Sequence, residues 1–328
     1  MNYRTLGKTG FKVSEISLGT WQIGGRWGEP FNEKIALQTI NKAIDLGVNF
    51  IDTADVYGGG LSEKAVGKVI KGRKERIYVA TKCGRKLNPH VASGYNRSNI
   101  VAFVEDSLKN MGLEVLDLLQ LHCPPTEVYD QPQVFAALDD LRKAGKILHY
   151  GVSVEKVVEA VKAIEYPNVA SVQIIFNMFR QKPAEFFFNE AIRNNVGIIV
   201  RVPLASGLLS GKMNKNTHFS TGDHRSFNRN GEQFDKGETF SGVNFETGLK
   251  AVEELKQVLP MDIPLAQNAL RWILMYKAVS CIIPGASNES QASSNLVASG
   301  LPALTAEQMA RVEAIYDKNI KQTVHHLW

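Results

Sequence analysis

Four side chains have the chemical types needed to move a proton onto a carbonyl oxygen: Asp52, Tyr57, Lys82 and His122. A tyrosine with its ordinary pKa of about 10 transfers protons poorly near neutral pH. A lysine ammonium close to the hydroxyl stabilises the phenolate and shifts such a pKa by roughly 1–3 units. Because burial of a lone ammonium is costly, a carboxylate such as Asp52 is needed beside Lys82. A histidine can orient the carbonyl oxygen, and general-acid help of this kind raises rates about 10²–10⁴-fold.

Short apolar runs rich in Val, Ile and Leu must position these side chains. Runs that are apolar on both faces are typical of parallel strands buried between helices and a barrel interior. Helix-length segments such as 32–47 and 97–112 separate the runs and close on glycine, and Ser98 is the predicted N-cap of the second. The alternation predicts an α/β fold, a (β/α)8 TIM barrel. Its core strands are predicted near residues 16–20, 48–52, 77–82, 115–122, 147–153, 170–176, 197–202 and 279–284.

The four candidate residues lie where such a barrel has its active site, at the C-terminal ends of the strands. Asp52, Lys82 and His122 end the second, third and fourth predicted strands, and Tyr57 lies in the loop after Asp52. Each alone has an ordinary explanation, as a turn cap, a surface charge, a core histidine or a loop tyrosine. Four matched residues at consecutive strand ends favour a catalytic site.

Two segments depart from a plain barrel. Residues 3–16 are predicted to form a hairpin with its turn at Lys8-Thr9-Gly10. A Gly- and Asn-rich insertion covers roughly 203–245, after the seventh strand, and loops of this length are usually functional or disordered. Its position on the catalytic face favours a functional covering element. No linker divides the chain, so residues 1–328 are predicted to be one domain.

Composition and charge exclude several classes of protein. The 328 residues include no apolar run near the roughly 18 needed to span a membrane. The N-terminus lacks a secretion signal, which predicts a cytoplasmic protein. A net charge of +5, dispersed over 38 basic and 33 acidic residues, does not indicate a nucleic-acid partner. Cys83, Cys123 and Cys281 are expected to be reduced and buried, and no metal site is predicted, since adjacent His325 and His326 do not make one.

The segment NFIDTADVYGGGLSEKAVG (49–67) resembles the signature of the aldo-keto reductase superfamily, in the branch of bacterial reductases and potassium-channel β subunits. The resemblance implies reduction of aldehydes and ketones by hydride transfer, with Tyr57 as proton donor. It implies that Lys82 tunes Tyr57, that Asp52 pairs with Lys82, and that His122 orients the carbonyl. Further similar motifs follow in family order up to about Asn295: ATK (80–82), DLLQLH (117–122), GVS (151–153), VQIIFN (172–177), PLASGLLSGK (203–212) and IIPGASNESQ (282–291).

The resemblance also implies a nicotinamide cofactor, NADPH (NADP+ when oxidised) by preference, with NADH possible. Barrel phosphate sites form from the loops after strands seven and eight, which agrees with the last two motifs. The implied contacts near the nicotinamide are Gly19, Thr20, Trp21, Ser153, Gln173 and Arg201. Those in the loop after strand seven are Pro203, Leu204, Ser206, Leu208, Ser210, Lys212 and Arg225. Those after strand eight are Gly285, Ser287, Gln291 and Asn295.

Three positions depart from the family pattern. Arg201 stands where many members stack an aromatic ring on nicotinamide, and its positive charge is expected to favour reduction. Val154 replaces the Asn that usually follows the serine of GVS. Gln291 replaces an arginine that binds the 2′-phosphate, which weakens the preference for NADPH, although Lys212 and Arg225 could compensate.

Substrate and role are less strongly encoded. Trp21 and Trp27 are expected to border the pocket, and an uncharged small-molecule carbonyl compound is the expected partner. A cofactor-sensing regulatory subunit stays open as an alternative. Another alternative, a Schiff-base enzyme using Lys82, is opposed by Asp52, which would keep that lysine protonated. The sequence does not encode the oligomeric state.

Overall fold

Eight parallel strands form the centre of the structure, a computed structural model that describes residues 1–25 and 30–328. Each strand pairs with the next along the chain, and Ile16 and Gly19 bridge to Ile282 and Gly285, so that the first and last strands meet and close a barrel. The barrel strands are β3 Leu18–Gly19, β4 Phe50–Asp52, β5 Tyr78–Cys83, β6 Leu116–His122, β7 Ile147–Ser153, β8 Val169–Ile175, β9 Gly197–Arg201 and β10 Val279–Ile282. The predicted (β/α)8 barrel is therefore confirmed.

Helices surround the barrel because their apolar faces pack onto the outer faces of the strands. No helix among the described residues is long and apolar enough to cross a membrane. The helices are α1 Glu33–Asp45, α2 Leu61–Lys71, α3 Arg97–Met111, α4 Pro132–Lys143, α5 Val157–Ala163, α6 Phe187–Arg193, α7 His224–Phe227, α8 Phe245–Lys256, α9 Leu265–Leu274, α10 Glu289–Leu296, α11 Ala306–Tyr316 and α12 Gln322–Val324.

The predicted N-cap of α3 is wrong. The cap is Asn96, whose side chain accepts a hydrogen bond from the Asn99 backbone N–H, and Ser98 lies within the first turn. Asparagine is as good a cap as serine, and here it stands one residue before the helix begins. The glycine stop is confirmed, because Gly112 follows α3 in the left-handed conformation.

The N-terminal hairpin consists of β1 Tyr3–Thr5 and β2 Lys12–Ser14 and lies at the N-terminal end of the barrel. Its Leu6 and Val13 join the small apolar cluster inside the barrel, which includes Phe50 and Leu118. Gly7 lies so close to the start of β9 that a Cβ there would come within 2.1 Å of the Gly197 nitrogen. The hairpin therefore closes one end of the barrel and leaves the C-terminal ends of the strands as its mouth.

A long segment between β9 and α8 packs beside this mouth. It contains short helical turns at Ala205–Ser210 and Phe240–Gly242, as well as α7. The Ser206 hydroxyl donates to the Glu238 carbonyl (2.8 Å) and accepts from the Phe240 N–H (3.1 Å), which holds the two ends of the segment together. The predicted insertion is confirmed in its bounds, since helical structure resumes at Phe245.

The C-terminal tail packs against this segment. Trp328 is buried, and its ring lies 3.9 Å from the guanidinium carbon of the buried Arg180. A Cβ added at Gly237 or at Gly242 would approach the Trp328 ring within 2.9 Å. The tail is therefore an anchored part of the fold.

Candidate active site

The barrel brings the four candidate side chains together at its mouth. Parallel pairing sets Asp52 beside Ala80, Lys82 beside Gln120 and His122 beside Ser153, so β4, β5 and β6 end at one edge. Tyr57 begins the short turn that follows β4. All four side chains converge as the strand-end argument predicts.

Lys82 is the centre of the arrangement. Its ammonium nitrogen donates to Asp52 Oδ2 (2.5 Å), to the Thr53 carbonyl (2.8 Å) and to the Tyr57 hydroxyl oxygen (3.2 Å). The Lys82 and Asp52 side chains are 1% and 2% exposed, so this ion pair is almost fully removed from water. Three acceptors satisfy the three N–H groups of the ammonium.

The charges in this pair set the protonation of the site. Burial alone would lower the pKa of Lys82, but the Asp52 and Tyr57 oxygens outweigh burial and raise that pKa above its ordinary value. Burial raises the pKa of Tyr57, and the opposing charge of Lys82 offsets the rise in part. The expected lowering of the Tyr57 pKa is thus not found, because desolvation of the phenolate exceeds the attraction of the ammonium. Tyr57 is a neutral phenol at pH 7 and carries a proton to give.

His122 is a neutral imidazole with an unused ring nitrogen. Burial, together with the positive charges of Arg85, Lys82 and Arg201, holds its pKa well below the ordinary value. Its ring meets that of Tyr57 edge to face, with centroids 6.0 Å apart. His122 Nδ1 is buried and finds no hydrogen-bond partner in residues 1–25 and 30–328. Most buried polar atoms have a partner, so the hydrogen-bonding capacity of this nitrogen is unused.

The second oxygen of Asp52 is held by two glutamines. Asp52 Oδ1 accepts from Gln173 Nε2 (2.7 Å) and from Gln120 Nε2 (3.1 Å), and Gln173 also donates to Gln120 Oε1 (3.2 Å). Sequence reasoning assigned Gln173 to the cofactor and overlooked Gln120. The sequence does hold a signal for Gln120, because side chains alternate between the two faces of a strand. Gln120 therefore lies on the same inward face of β6 as Leu118 and His122.

A chain of hydroxyl groups supports the loop between Asp52 and Tyr57. Thr20 Oγ1 donates to the Asp52 carbonyl (2.9 Å), Ser62 Oγ to Thr20 Oγ1 (2.7 Å), and Thr53 Oγ1 to Ser62 Oγ (2.9 Å). A Cβ on Gly24 would lie 3.2 Å from the Tyr57 Cβ, so the loop after β3 packs directly on the tyrosine. These contacts restrict how far Tyr57 can move from Lys82.

Four further charged side chains form a cluster beside the mouth: Arg85, Glu155, Arg201 and Glu238. Arg201 pairs with Glu155 (2.7 Å) and Glu238 (3.1 Å), and Arg85 pairs with the same two carboxylates (3.0 and 2.7 Å). Burial raises the pKa of Glu155 to about 7, whereas the adjacent arginines keep the pKa of Glu238 low despite its burial. Sequence reasoning named Arg201 alone, since its partners lie dozens of residues away along the chain.

Cys123 completes this region. Its thiol lies 3.4 Å from the Ser153 hydroxyl and 3.5 Å from an Arg201 nitrogen, and burial raises its pKa to about 12. Cys83, Cys123 and Cys281 are all free and buried, as predicted. The Cys123 sulfur and the Glu155 and Glu238 oxygens lie within 4.8 Å of one another, but Arg85 and Arg201 already neutralise the two carboxylates.

Residues 15–317 match the family model described as the aldo/keto reductase family. The chain belongs to this family. It is 30% identical to the aldo-keto reductase YhdN of Bacillus subtilis over 99% of this chain and 96% of the relative. It is 29% identical to a probable voltage-gated potassium channel subunit beta of Arabidopsis thaliana, over 98% of each chain.

Solved structures of aldo-keto reductases share this barrel. The glycerol dehydrogenase AKR11B4 of Gluconobacter oxydans superposes with a TM-score of 0.81 at 29% identity, covering 97% of this chain and 96% of that one. The holo form of the aldo-keto reductase AKR11C1 of Bacillus halodurans gives 0.76 at 26% identity, covering 96% of each chain.

In this aldo-keto reductase the loop after β10 leads from Gly285 into the N-terminus of α10. Asn288 is the N-cap of α10, and its side chain accepts from the Gln291 N–H (2.9 Å). The Ser287 and Gln291 side chains bond each other (3.0 Å), and Asn295 donates to the Gly285 carbonyl (3.2 Å). Sequence reasoning missed Gln22, which lies beside Gly285 and whose buried Oε1 has no donor among the described residues.

The predicted residues of the loop after β9 fall into two groups. Lys212 is exposed, the Ser210 hydroxyl accepts from the Lys212 N–H (3.3 Å), and Arg225 is held by both carboxylate oxygens of Asp223. Pro203 and Leu208 are buried, Leu204 is partly buried, and the Ser206 hydroxyl is used within the segment. The first group can present charge and hydroxyl groups to a phosphate, whereas the second shapes the loop.

Trp21, a predicted wall residue, lies in the loop after β3. Its ring meets His224 of α7 edge to face, with centroids 5.2 Å apart, so the loops after β3 and β9 are in contact. His224 was not predicted, because it lies in a segment without strand or helix periodicity. The other predicted wall residue, Trp27, lies outside the described residues.

Proposed function

We propose that this aldo-keto reductase reduces aldehydes and ketones to alcohols with NADPH, and that Tyr57 is the general acid. The observation that carries the proposal is the contact of Lys82 with both Asp52 and Tyr57, next to the unused nitrogen of the neutral His122. A buried phenol beside a fixed ammonium can give up a proton to a developing alkoxide, because the ammonium stabilises the phenolate that is left.

Each of the four site residues has its own role in the proposed reaction. His122 donates a hydrogen bond to the substrate oxygen and brings that oxygen to Tyr57. Tyr57 passes its proton to this oxygen, and Lys82 holds the resulting phenolate while Asp52 keeps Lys82 charged and in place. When bound, the reduced nicotinamide supplies the hydride.

The residues present fit a nicotinamide dinucleotide. Its pyrophosphate and 2′-phosphate would lie between Lys212, Gly285 and the N-terminus of α10, and the buried Oε1 of Gln22 has no donor there within residues 1–25 and 30–328. Ser153 and Arg201 would contact the nicotinamide end. We further propose that residues 1–328 act as one barrel domain on small carbonyl compounds in the cytoplasm.

Arg201 bears on the direction of the reaction. A lone guanidinium beside the nicotinamide would disfavour the oxidised, cationic ring, but Arg201 is paired with Glu155 and Glu238. Two arginines face two carboxylates, but a Glu155 pKa of about 7 leaves that carboxyl partly protonated near neutral pH. The cluster therefore keeps part of a positive charge, and the expected bias towards reduction should be reduced but not abolished.

The test is the loss of absorbance at 340 nm with NADPH, and then NADH, against 4-nitrobenzaldehyde. Tyr57→Phe should reduce kcat by about 10²–10⁴-fold while NADPH binding is retained. Tyr78→Phe is the matched control, because Tyr78 is a tyrosine at the opposite end of the same barrel. It stacks on Phe11, and its hydroxyl makes no hydrogen bond to any described residue. Full activity in Tyr57→Phe would refute the role of Tyr57.

The similarity to a plant channel subunit beta supports one other candidate, a cofactor-dependent regulator. Tight binding of NADPH, measured by fluorescence quenching, without turnover across a panel of aldehydes and ketones would favour the regulator over the reductase.

A further inference from the structure

We propose that Gln120 is a positioning residue of the tetrad formed by Asp52, Tyr57, Lys82 and His122. Gln120 fixes Asp52 so that the carboxylate presents one oxygen to Lys82. The proposal rests on the reductase function above. It deepens that function by adding to the site a residue that touches neither substrate nor cofactor.

The geometry around Asp52 separates the two carboxylate oxygens. Oδ2 accepts from Lys82, whereas Oδ1 accepts from Gln120 at 3.1 Å and from Gln173 at 2.7 Å. Gln120 pairs with Lys82 in the β5–β6 register, so both side chains start from the same level of the barrel. Gln120, Gln173 and Asp52 are each 1% exposed or less, and water cannot replace the amide donors easily.

The amide orientation follows from charge. An amide oxygen turned towards the carboxylate would repel it, so the Nε2 atoms of both glutamines must face Asp52 Oδ1. Gln173 then also donates to Gln120 Oε1 (3.2 Å), which fixes the direction of the Gln120 amide. The result is a carboxylate with a donor on each oxygen and little freedom to rotate.

A neutral donor suits this position better than a cation. A second lysine or arginine on Asp52 would compete with Lys82 for the negative charge and weaken the hold on its ammonium. An apolar residue would leave one acceptor of Oδ1 unused in a buried site, which is costly for a charged group. Glutamine satisfies the oxygen and leaves the charge of Asp52 for Lys82.

The test compares Gln120→Met with Gln120→Glu, and exposed Gln133→Glu on α4 is the control. Gln120→Met keeps the volume and should lower kcat about tenfold at all pH values, while the Kd of NADPH and the KM stay within about twofold. Gln120→Glu should be close to wild type at low pH, where the introduced carboxyl is protonated and can donate. The kcat of this variant should then fall with rising pH, because ionisation of the introduced carboxyl places a second negative charge beside Asp52.

The pH effect has a defined sign. The introduced carboxyl would face Asp52 of β4, and the charged or titratable groups around Asp52 include Lys82 of β5, Tyr57 and Cys281 of β10. His122 lies two residues further along β6, and Lys82 is already paired with Asp52. Repulsion raises the pKa of the introduced carboxyl in the folded state. The variant should therefore lose stability relative to wild type as pH rises above about 4.3, the ordinary value for glutamate.

Urea unfolding makes this test independent of turnover. One outcome is that the wild type turns over no carbonyl compound, while Gln120→Glu loses stability with rising pH and Gln133→Glu does not. In that case the contact between Gln120 and Asp52 stands and the reductase proposal fails. If wild type is active while Gln120→Met keeps its full kcat and Gln120→Glu shows no added pH dependence, Gln120 only fills space and the proposal is overturned.

Discussion

Lys82 illustrates how a single buried charge depends on its partner. The Lys82–Asp52 ion pair is buried, so removal of one member leaves the charge of the other uncompensated. Replacing both members with apolar residues avoids that cost. The stability of the pair and its chemistry can therefore be separated by mutation.

Lys82→Met should lower the free energy of unfolding by about 3–5 kcal/mol. The double variant Lys82→Met/Asp52→Leu should recover most of this loss in urea denaturation, yet stay as inactive as the single variant. A single variant as stable as wild type would mean that Asp52 carries no unpaired charge in the folded state.

His122 should make the protein sensitive to acid. Its pKa is held well below 6.5 in the folded state, so the unfolded chain binds a proton more readily. The resulting stability is present above pH 6.5 and is lost as pH falls below that value, by up to about 1.4 kcal/mol per pH unit.

His122→Asn should therefore lose less stability than wild type between pH 7.5 and pH 5, measured by urea unfolding at each pH. The exposed His218→Asn, in the long segment, is the matched control. Parallel stability curves for wild type and His122→Asn would contradict the low pKa.

At the scale of elements, Glu238 connects the segment after β9 to the barrel. It pairs with Arg85 in the loop after β5 and with Arg201 at the end of β9. Glu238→Gln keeps the shape of the side chain but leaves the guanidinium groups of the buried Arg201 and the partly buried Arg85 to share Glu155. The segment should then open more often, with severalfold faster proteolysis within residues 203–245 and faster release of NADPH.

The matched control is Glu232→Gln, because Glu232 lies in the same segment but bonds only the exposed Asn230 among the described residues. Cleavage patterns and release rates that are equal in Glu238→Gln and Glu232→Gln would show that the ion pairs do not hold the segment.

The elements were largely predictable because periodicity is local. The β6 run predicted at 115–122 is observed at Leu116–His122. The tetrad converges because Asp52, Lys82 and His122 lie at the ends of consecutive strands and Tyr57 lies in the turn after the first of them. What was missed depends on contacts between distant parts of the chain. Gln120 meets Asp52, and Glu238 meets Arg85, across separations that leave no repeating pattern, so only the folded barrel brings them together.

At the scale of the whole molecule, the C-terminus secures the segment that carries Glu238. Trp328 covers Arg180, whose burial lowers its pKa to about 10, and packs against Gly237 and Gly242. The sequence could not predict this role, since a terminal HHLW has no periodicity and Arg180 is more than a hundred residues away.

Trp328→Ala should cost about 3–5 kcal/mol, the usual range for removal of a buried tryptophan side chain. A loss of 1 kcal/mol lowers Tm by roughly 2–4 °C in chains of 150–250 residues, and by somewhat less in a chain of this length. The Tm of Trp328→Ala should therefore fall by several degrees. His326→Ala, at an exposed position of the same tail, should leave Tm within about a degree. Equal melting curves for the two variants would show that the tail does not secure the fold.

The closure of the barrel between β3 and β10 also bears on how the chain is synthesised. The ribosome releases β3 first and β10 last of the eight barrel strands, so the growing sheet keeps two open edges until β10 emerges. Unpaired edges in a Val- and Ile-rich sheet are templates for association with other chains. A chain that stops before Val279 would keep both edges open permanently, and we expect truncated translation products of this protein to aggregate or to need chaperones.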